Sequence, residues 1–184
     1  MTGPEPYPLR LYLAGPAGSG KSAVARVLVE RHCFRRIALG DLPRALAESR
    51  GLRPERAVLQ ALGDEIRGPD PGRLAMLALA RLEGTERVVV DGVRMPAEAE
   101  VLRTAGFVGV WVSTPYLVRR RRLEERGERW LHGEQHHQTE VHVPFIRTDF
   151  ELDGSGDLSA LAAAVGALVP ALEARAAARG EGER

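Results

Sequence analysis

Cysteine is nearly missing from this chain: Cys33 is the only one among 184 residues. No intrachain disulfide can form, and a zinc site built from cysteines is excluded. The lone thiol reads as a small buried hydrophobe. Lysine is just as scarce. Lysine and arginine together number 26, yet every one except Lys21 is arginine. A coding bias toward arginine explains the majority, but the single position that keeps a compact ammonium stands out. Net charge is lacking too, at +1, so no global attraction draws the chain to nucleic acid or an anionic membrane. Neither is expected as a partner. Long apolar runs are absent; even the alanine-rich stretch near the C-terminus is interrupted by Pro170, Glu173 and Arg175, and nothing reaches bilayer-spanning length. The opening MTGPEPYPLR has no apolar segment of signal-peptide size. The expectation is a cytoplasmic protein, monomer or homodimer. Aromatic residues make up 5%, and none lies between Ala38 and Arg56.

What is present alternates. Leu9–Ala14 is an apolar run that stops at Gly15, and Ser22–His32 then carries helical spacing. Arg36–Leu39 is a second short strand closed by Gly40-Asp41. From Leu42 to about Leu82 the pattern is helical, punctuated by Gly51, Pro54 and the Gly68–Gly72 breaker. Arg87–Val90 and Phe107–Val112 read as strands, each followed by a proline-started helix, from Pro96 to Thr104 and from Pro115 to Glu125. Phe145–Leu152 holds a fifth strand, and Asp157–Arg175 a final amphipathic helix. Strands that are nearly continuous apolar runs, separated by helices, form parallel sheets covered on both faces. The predicted fold is therefore a three-layer α/β domain spanning 1–184, with a five-stranded parallel sheet. Gly127–Gln138 is polar and aperiodic, as an exposed loop would be.

Gly15-Pro16-Ala17-Gly18-Ser19-Gly20-Lys21-Ser22 matches G-x-x-x-x-G-K-[ST] at every fixed position, directly after a strand and opening a helix. Glycines let the backbone wrap so that its N–H groups face phosphate oxygens, and the helix N-terminus adds dipole and unpaired donors. Gly15, Ala17, Gly18, Ser19, Gly20, Lys21, Ser22 and Ala23 are the predicted ATP-binding residues. Lys21 is expected on the β- and γ-phosphates, and the Ser22 hydroxyl on Mg²⁺. Asp91, at the end of an apolar strand, is placed to support the magnesium shell.

Several further segments resemble the adenylate kinases and other nucleoside monophosphate kinases. Gly40-Asp41-Leu42-Pro43-Arg44 resembles their Gly-Asp-x-x-Arg. Asp91-Gly92-Val93-Arg94 resembles their Asp-Gly-x-Pro-Arg, one residue shorter. Arg122-Leu123-Glu124-Glu125-Arg126 resembles the Arg-Leu-x-x-Arg that opens their lid. A narrower likeness is to the deoxynucleoside monophosphate kinase-like group. It rests on Leu59–Arg67, on Asp91–Glu100, which runs D-x-x-R-x-P-x-E-x-E and resembles that group's D-x-R-x-P-x-E-x-E, on His137-Gln138-Thr139-Glu140, and on Asp153-Gly154-Ser155. The resemblance implies a helical acceptor region near 40–75 and a lid near 119–140. It implies that Asp41, Arg44, Arg67, Arg94, His137 and Glu140 contact the acceptor. Lys21, Arg94, Asp91, Arg122 and Arg126 would then carry catalysis, with Arg122 and Arg126 closing over the ATP phosphates.

Such an arrangement suits phosphoryl transfer, which asks chiefly for alignment and positive charge around the transferred group. Arginine forks supply it without losing a proton. In the run Arg119–Arg122, two side chains are expected to face solvent and pair with glutamates. His132, His136, His137 and His142 suggest a metal by composition, but no helix is expected around Gly133 to bring them together. Trp111 reads as core and Trp130 as part of the lid. The expected activity is ATP-dependent phosphorylation of a (deoxy)nucleoside monophosphate. The alternatives are another small acceptor (dephospho-coenzyme A, gluconate, shikimate, phosphomevalonate) or an ATPase or nucleotide switch, although no guanine-reading N-K-x-D is present.

Overall fold

The computed structural model describes residues 9–82, 87–127 and 141–182, with side chains described as far as residue 174. Five strands form one sheet: β1 (Arg10–Ala14), β2 (Arg35–Ala38), β3 (Val88–Asp91), β4 (Val108–Ser113) and β5 (Phe150–Asp153). The spatial order is β2-β3-β1-β4-β5, and every pairing is parallel. Between the strands run α1 (Lys21–His32), α2 (Asp41–Ser49), α3 (Arg56–Arg67), α4 (Arg73–Leu79), α5 (Pro96–Thr104) and α6 (Tyr116–Glu125). The last helix, α7 (Leu158–Gly182), follows β5.

β1, β3 and β4 read as nearly continuous apolar runs because each face has its own helical cover, whereas the edge strands β2 and β5 carry exposed charged residues. Leu11, Leu13, Val89, Val110 and Val112 point to one side, against Val24, Val27 and Leu28 of α1 and Leu161, Val165 and Val169 of α7. Tyr12, Ala14, Val88 and Val90 point to the other, against Leu74, Ala75 and Ala78 of α4 and Ala99 and Leu102 of α5. This is the expected three-layer architecture. After β1 the chain crosses to the β2–β3 side, and after β3 it crosses back to β4. The carboxyl end of β1 is thus the point where strand order reverses, the place where open α/β sheets leave a crevice.

Three expectations need correction. The fifth strand begins at Phe150, not Phe145, because Val143–Phe145 is a single 3-10 turn built on Pro144. Pro144 has no N–H to give a ladder. The last helix runs through Pro170 to Gly182, longer than the apolar spacing indicated. Cys33 is exposed rather than buried. It closes α1 in a left-handed conformation (φ 57°, ψ 33°), its backbone N–H bonded to the Leu28 carbonyl. That turn carries its side chain away from the core that Phe34 enters. Trp111 is partly buried against the α4/α5 side of the sheet.

Candidate functional site

The loop from Gly15 to Ser22 curls at the reversal point. Gly15, Gly18 and Gly20 all have positive φ (140°, 76° and 101°), which side chains tolerate poorly. At Gly18 the space is also taken, since a Cβ would stand 2.8 Å from the Arg119 carbonyl oxygen. The Lys21 ammonium donates to the carbonyls of Gly15 (2.7 Å) and Pro16 (2.8 Å) and reaches Ser19 Oγ at 3.5 Å. Its donors are engaged with the loop's own oxygens.

Two neighbouring connections brace the loop from behind. The Thr114 hydroxyl donates to the Ser19 carbonyl at 2.9 Å, and Arg119 Nε donates to the Thr114 carbonyl at 3.1 Å. Gly154, just after β5, packs so tightly that a Cβ would come within 2.2 Å of the Ser19 carbonyl oxygen. Arg122 clamps that same turn, with NH1 2.7 Å from the Gly154 carbonyl and NH2 2.9 Å from that of Gly156. Of the run of four arginines, Arg119 and Arg122 therefore turn inward. Arg120 and Arg121 stay at the surface on Glu124 and Glu125, each at 2.8 Å.

A cleft of about 550 Å³ opens from the loop toward α2 and α3. One wall holds Gly18, Gly20, Lys21 and Ser22. The other holds Asp41, Arg44, Arg56, Gln60, Arg67 and Arg94, with Arg36 of β2, Asp91 at the end of β3 and Arg126 also on the lining. The structure thus gathers Lys21, Ser22, Asp41, Arg44, Arg67, Asp91, Arg94 and Arg126 around one space. Arg122 faces a smaller hollow of about 250 Å³ beside Gly20, Ala23, Gly154 and Leu158. His137 and Glu140 lie outside the described residues, as do the rest of 128–140 and with them His132, His136 and Trp130. His142 lies just beyond, at the start of the 3-10 turn.

At the end of β3, the Ser22 hydroxyl donates to Asp91 Oδ2 at 3.3 Å, and Arg36 NH2 lies 2.8 Å from the same oxygen. A hydroxyl and a carboxylate side by side at a helix start are hard oxygen donors of the kind that suit magnesium. On the far wall, Arg67 is fixed. Its Nε and NH2 each lie 3.0 Å from Glu98 Oε1, and its NH1 lies 3.0 Å from Asp64. Glu98 in turn accepts the backbone N–H groups of Arg94 (2.8 Å) and Met95 (3.1 Å). One buried carboxylate therefore starts α5, sets the backbone of Arg94 and holds Arg67. Arg36 and Thr114 were not singled out from sequence; Glu98 and Arg119 entered only within the Asp91–Glu100 likeness and the arginine run. A signal existed only for Glu98, three residues after Met95 at a proline-started helix.

The fold and loop define a P-loop protein of kinase-like architecture. The chain belongs to the AAA domain family (AAA_18), whose profile matches residues 11–140, and to the UPF0200 proteins. The UPF0200 protein of Aeropyrum pernix is 37% identical over 132 residues, 71% of this chain and 70% of that one. UPF0200 protein PAE1629 of Pyrobaculum aerophilum is 39% identical over 124 residues, 64% of this chain and 66% of its own length. The chain thus spans just under two thirds of that relative. A cytidylate kinase of Natronomonas pharaonis is 30% identical over 124 residues, 64% of this chain and 58% of the kinase. Among solved structures, a gluconokinase from Sinorhizobium meliloti 1021 superposes with TM-score 0.58 at 16% identity, covering 93% of this chain and 99% of that one. Shikimate kinase from Aquifex aeolicus gives 0.53 at 18%, covering 91% and 98%. At such identities the likeness concerns the fold.

Proposed function

We propose that this protein transfers the terminal phosphoryl group of ATP to a nucleoside or deoxynucleoside monophosphate. The observation that carries this reading is the two-sided charge of the main cleft. Across from Lys21 and the loop stands a second cationic wall, Arg44, Arg56, Arg67 and Arg94. A protein that only bound or hydrolysed a nucleoside triphosphate would need the first wall alone. Two facing walls suit a donor polyphosphate and an acceptor that brings its own phosphate.

In this reading Lys21 leaves the Gly15 and Pro16 carbonyls for the transferring phosphate, and loop N–H groups hold the donor's tail. Arg94, its backbone fixed by Glu98, orients the acceptor phosphate beside it. Ser22 and Asp91 would hold a magnesium ion, which would supply positive charge to the terminal phosphates. Acceptor phosphates are ionised near neutral pH, so no strong general base is required. For an alcohol acceptor, Asp41 at the start of α2 is the carboxylate in the cleft placed to take the proton. Arg126, which lines the cleft, would help keep water from the reacting groups.

The body of the acceptor would lie along Leu39, Pro43, Pro54, Leu59 and Leu74, which also line the cleft. Gln60 Nε2, on the same wall, is buried with no hydrogen-bond partner among the described residues. A heteroaromatic edge would give it an acceptor. The test is a phosphotransfer panel on the purified full-length protein. Transfer to at least one monophosphate is expected, and transfer to none of them overturns the reading.

A second reading keeps the chemistry and changes the acceptor to a small metabolite other than a nucleoside monophosphate. The lack of an aromatic side chain along the described cleft favours it, since no ring is there to stack on a base. Gluconate, shikimate and phosphomevalonate, which carry no base, separate the two in the same panel, and dephospho-coenzyme A, which carries adenine, completes it.

A further inference from the structure

The buried carboxylate at the end of β3 is balanced by a side chain that the scheme above leaves without a task. Arg36 sits on β2, where Ala38 is in register with Asp91. Its guanidinium is 2.8 Å from Asp91 Oδ2, and its side chain is 40% exposed against 5% for Asp91. The same oxygen accepts the Ser22 hydroxyl. One atom therefore serves a hydroxyl fixed by helix α1 and a cation carried on a long stem that is 40% exposed.

A carboxylate taken out of water needs a counter-charge, and losing it is costly. When a magnesium–nucleotide settles against Ser22, the dication meets that need, and a guanidinium held beside it is repelled. Arg36 can leave, because its stem already lines the cleft. Arg67 cannot, since Glu98 holds it in the interior. The anion next within reach of a displaced Arg36 is one brought by the acceptor, in the space it shares with Arg44 and Arg94.

We propose that Arg36 is a shared cation. It neutralises Asp91 while the cleft holds no magnesium–nucleotide, and passes to the acceptor's anionic group once the magnesium–nucleotide is bound. This rests on the nucleotide-binding part of the function proposed above. Arg36 then opposes metal-dependent nucleotide binding in the absence of acceptor and links the two substrates when both are present. Such linkage is reciprocal.

The experiment is calorimetric titration of the full chain with a non-hydrolysable ATP analogue, once with magnesium and once with EDTA. Arg36→Gln is expected to bind the magnesium complex about 5- to 10-fold more tightly than wild type, the lower range of common coupling factors. Its metal-free affinity should be no better than wild type. Arg36→Lys, which keeps the charge, should return toward wild type. In an Asp91→Asn background, where no buried charge is left unpaired, removing Arg36 should change nothing. The pair Asp91→Asn and Arg36→Gln/Asp91→Asn gives a readout even if Arg36→Gln alone does not fold. A magnesium-complex affinity in Arg36→Gln that is equal to or weaker than wild type overturns the proposal. So does an effect of Arg36 that persists without the Asp91 charge. Wild type that binds the analogue in neither condition removes the nucleotide-binding reading itself, a result distinct from an unmoved Arg36→Gln.

Discussion

Arg67 and Glu98 form an ion pair inside the protein: two guanidinium nitrogens lie 3.0 Å from one carboxylate oxygen that is wholly buried. Removing Glu98 leaves Arg67 out of water with, among the described residues, only the partly exposed Asp64 beside it. Glu98→Ala should cost about 3–5 kcal/mol in urea unfolding, and it should slow phosphotransfer further by releasing the Arg94 backbone. Replacing both members with apolar residues of similar volume should recover most of the stability but not the activity. Equal urea midpoints for Glu98→Ala and wild type would show that the pair does not hold α3 to α5.

Lys21→Ala should keep the fold and lose transfer. Removing one donor aimed at developing charge commonly costs about 100- to 1000-fold in rate. Circular dichroism and a rate assay on one preparation check both halves. A variant that turns over at the wild-type rate would mean the ammonium meets no reacting phosphate.

Gly154 is predicted to tolerate no side chain. A Cβ there meets the Ser19 carbonyl at 2.2 Å and Thr114 Oγ1 at 2.8 Å, so the phosphate loop must move. Gly154→Ala should destabilise by about 1–3 kcal/mol, as overpacking does, and weaken nucleotide binding along with it. Thermal melts with and without nucleotide separate the two effects. The idea fails if the nucleotide-induced shift in Tm stays at its wild-type size.

Glu65 on α3 accepts two hydrogen bonds from Arg50, just past α2, at 2.6 and 2.8 Å. Those bonds, and then the nearby charge, hold its carboxyl below the ordinary value of 4.5. A depressed carboxylate stabilises the fold above its unfolded value, and that contribution fades as pH falls through the lower folded value. The wild type should therefore lose stability as pH drops below about 4.5. Arg50→Ala should flatten that part of the acid limb while changing nothing between pH 6 and 8 beyond a constant offset. Parallel acid limbs in the two proteins would count against it.

The sheet was legible because its central strands β1, β3 and β4 are short apolar runs, and because α5 opens at Pro96 and α6 just after Pro115. The loop at Gly15–Ser22 was legible because its geometry needs glycine and lysine at fixed places. Arg36 was hidden for a different reason. Its partner is 55 residues away in sequence, and only the parallel register of β2 on β3 brings them together. Thr114 and Gly154 likewise act by touching a loop nearly a hundred or more residues earlier, which no local pattern records. Among Arg119–Arg122, spacing alone indicated that two would face out, but which two depended on where the turn after β5 lay. Cys33 misled because a lone thiol is usually buried, whereas here the helix ends on it.

That exposed thiol has a use. Cys33 and Lys21 mark the two ends of one 12-residue helix, about 18 Å apart at 1.5 Å per residue. As the chain's sole cysteine, it offers a single attachment point for a fluorophore or spin label. A probe there would sit beyond contact range of the phosphates yet ride on the same rigid rod, so loop rearrangements could be followed without touching the chemistry.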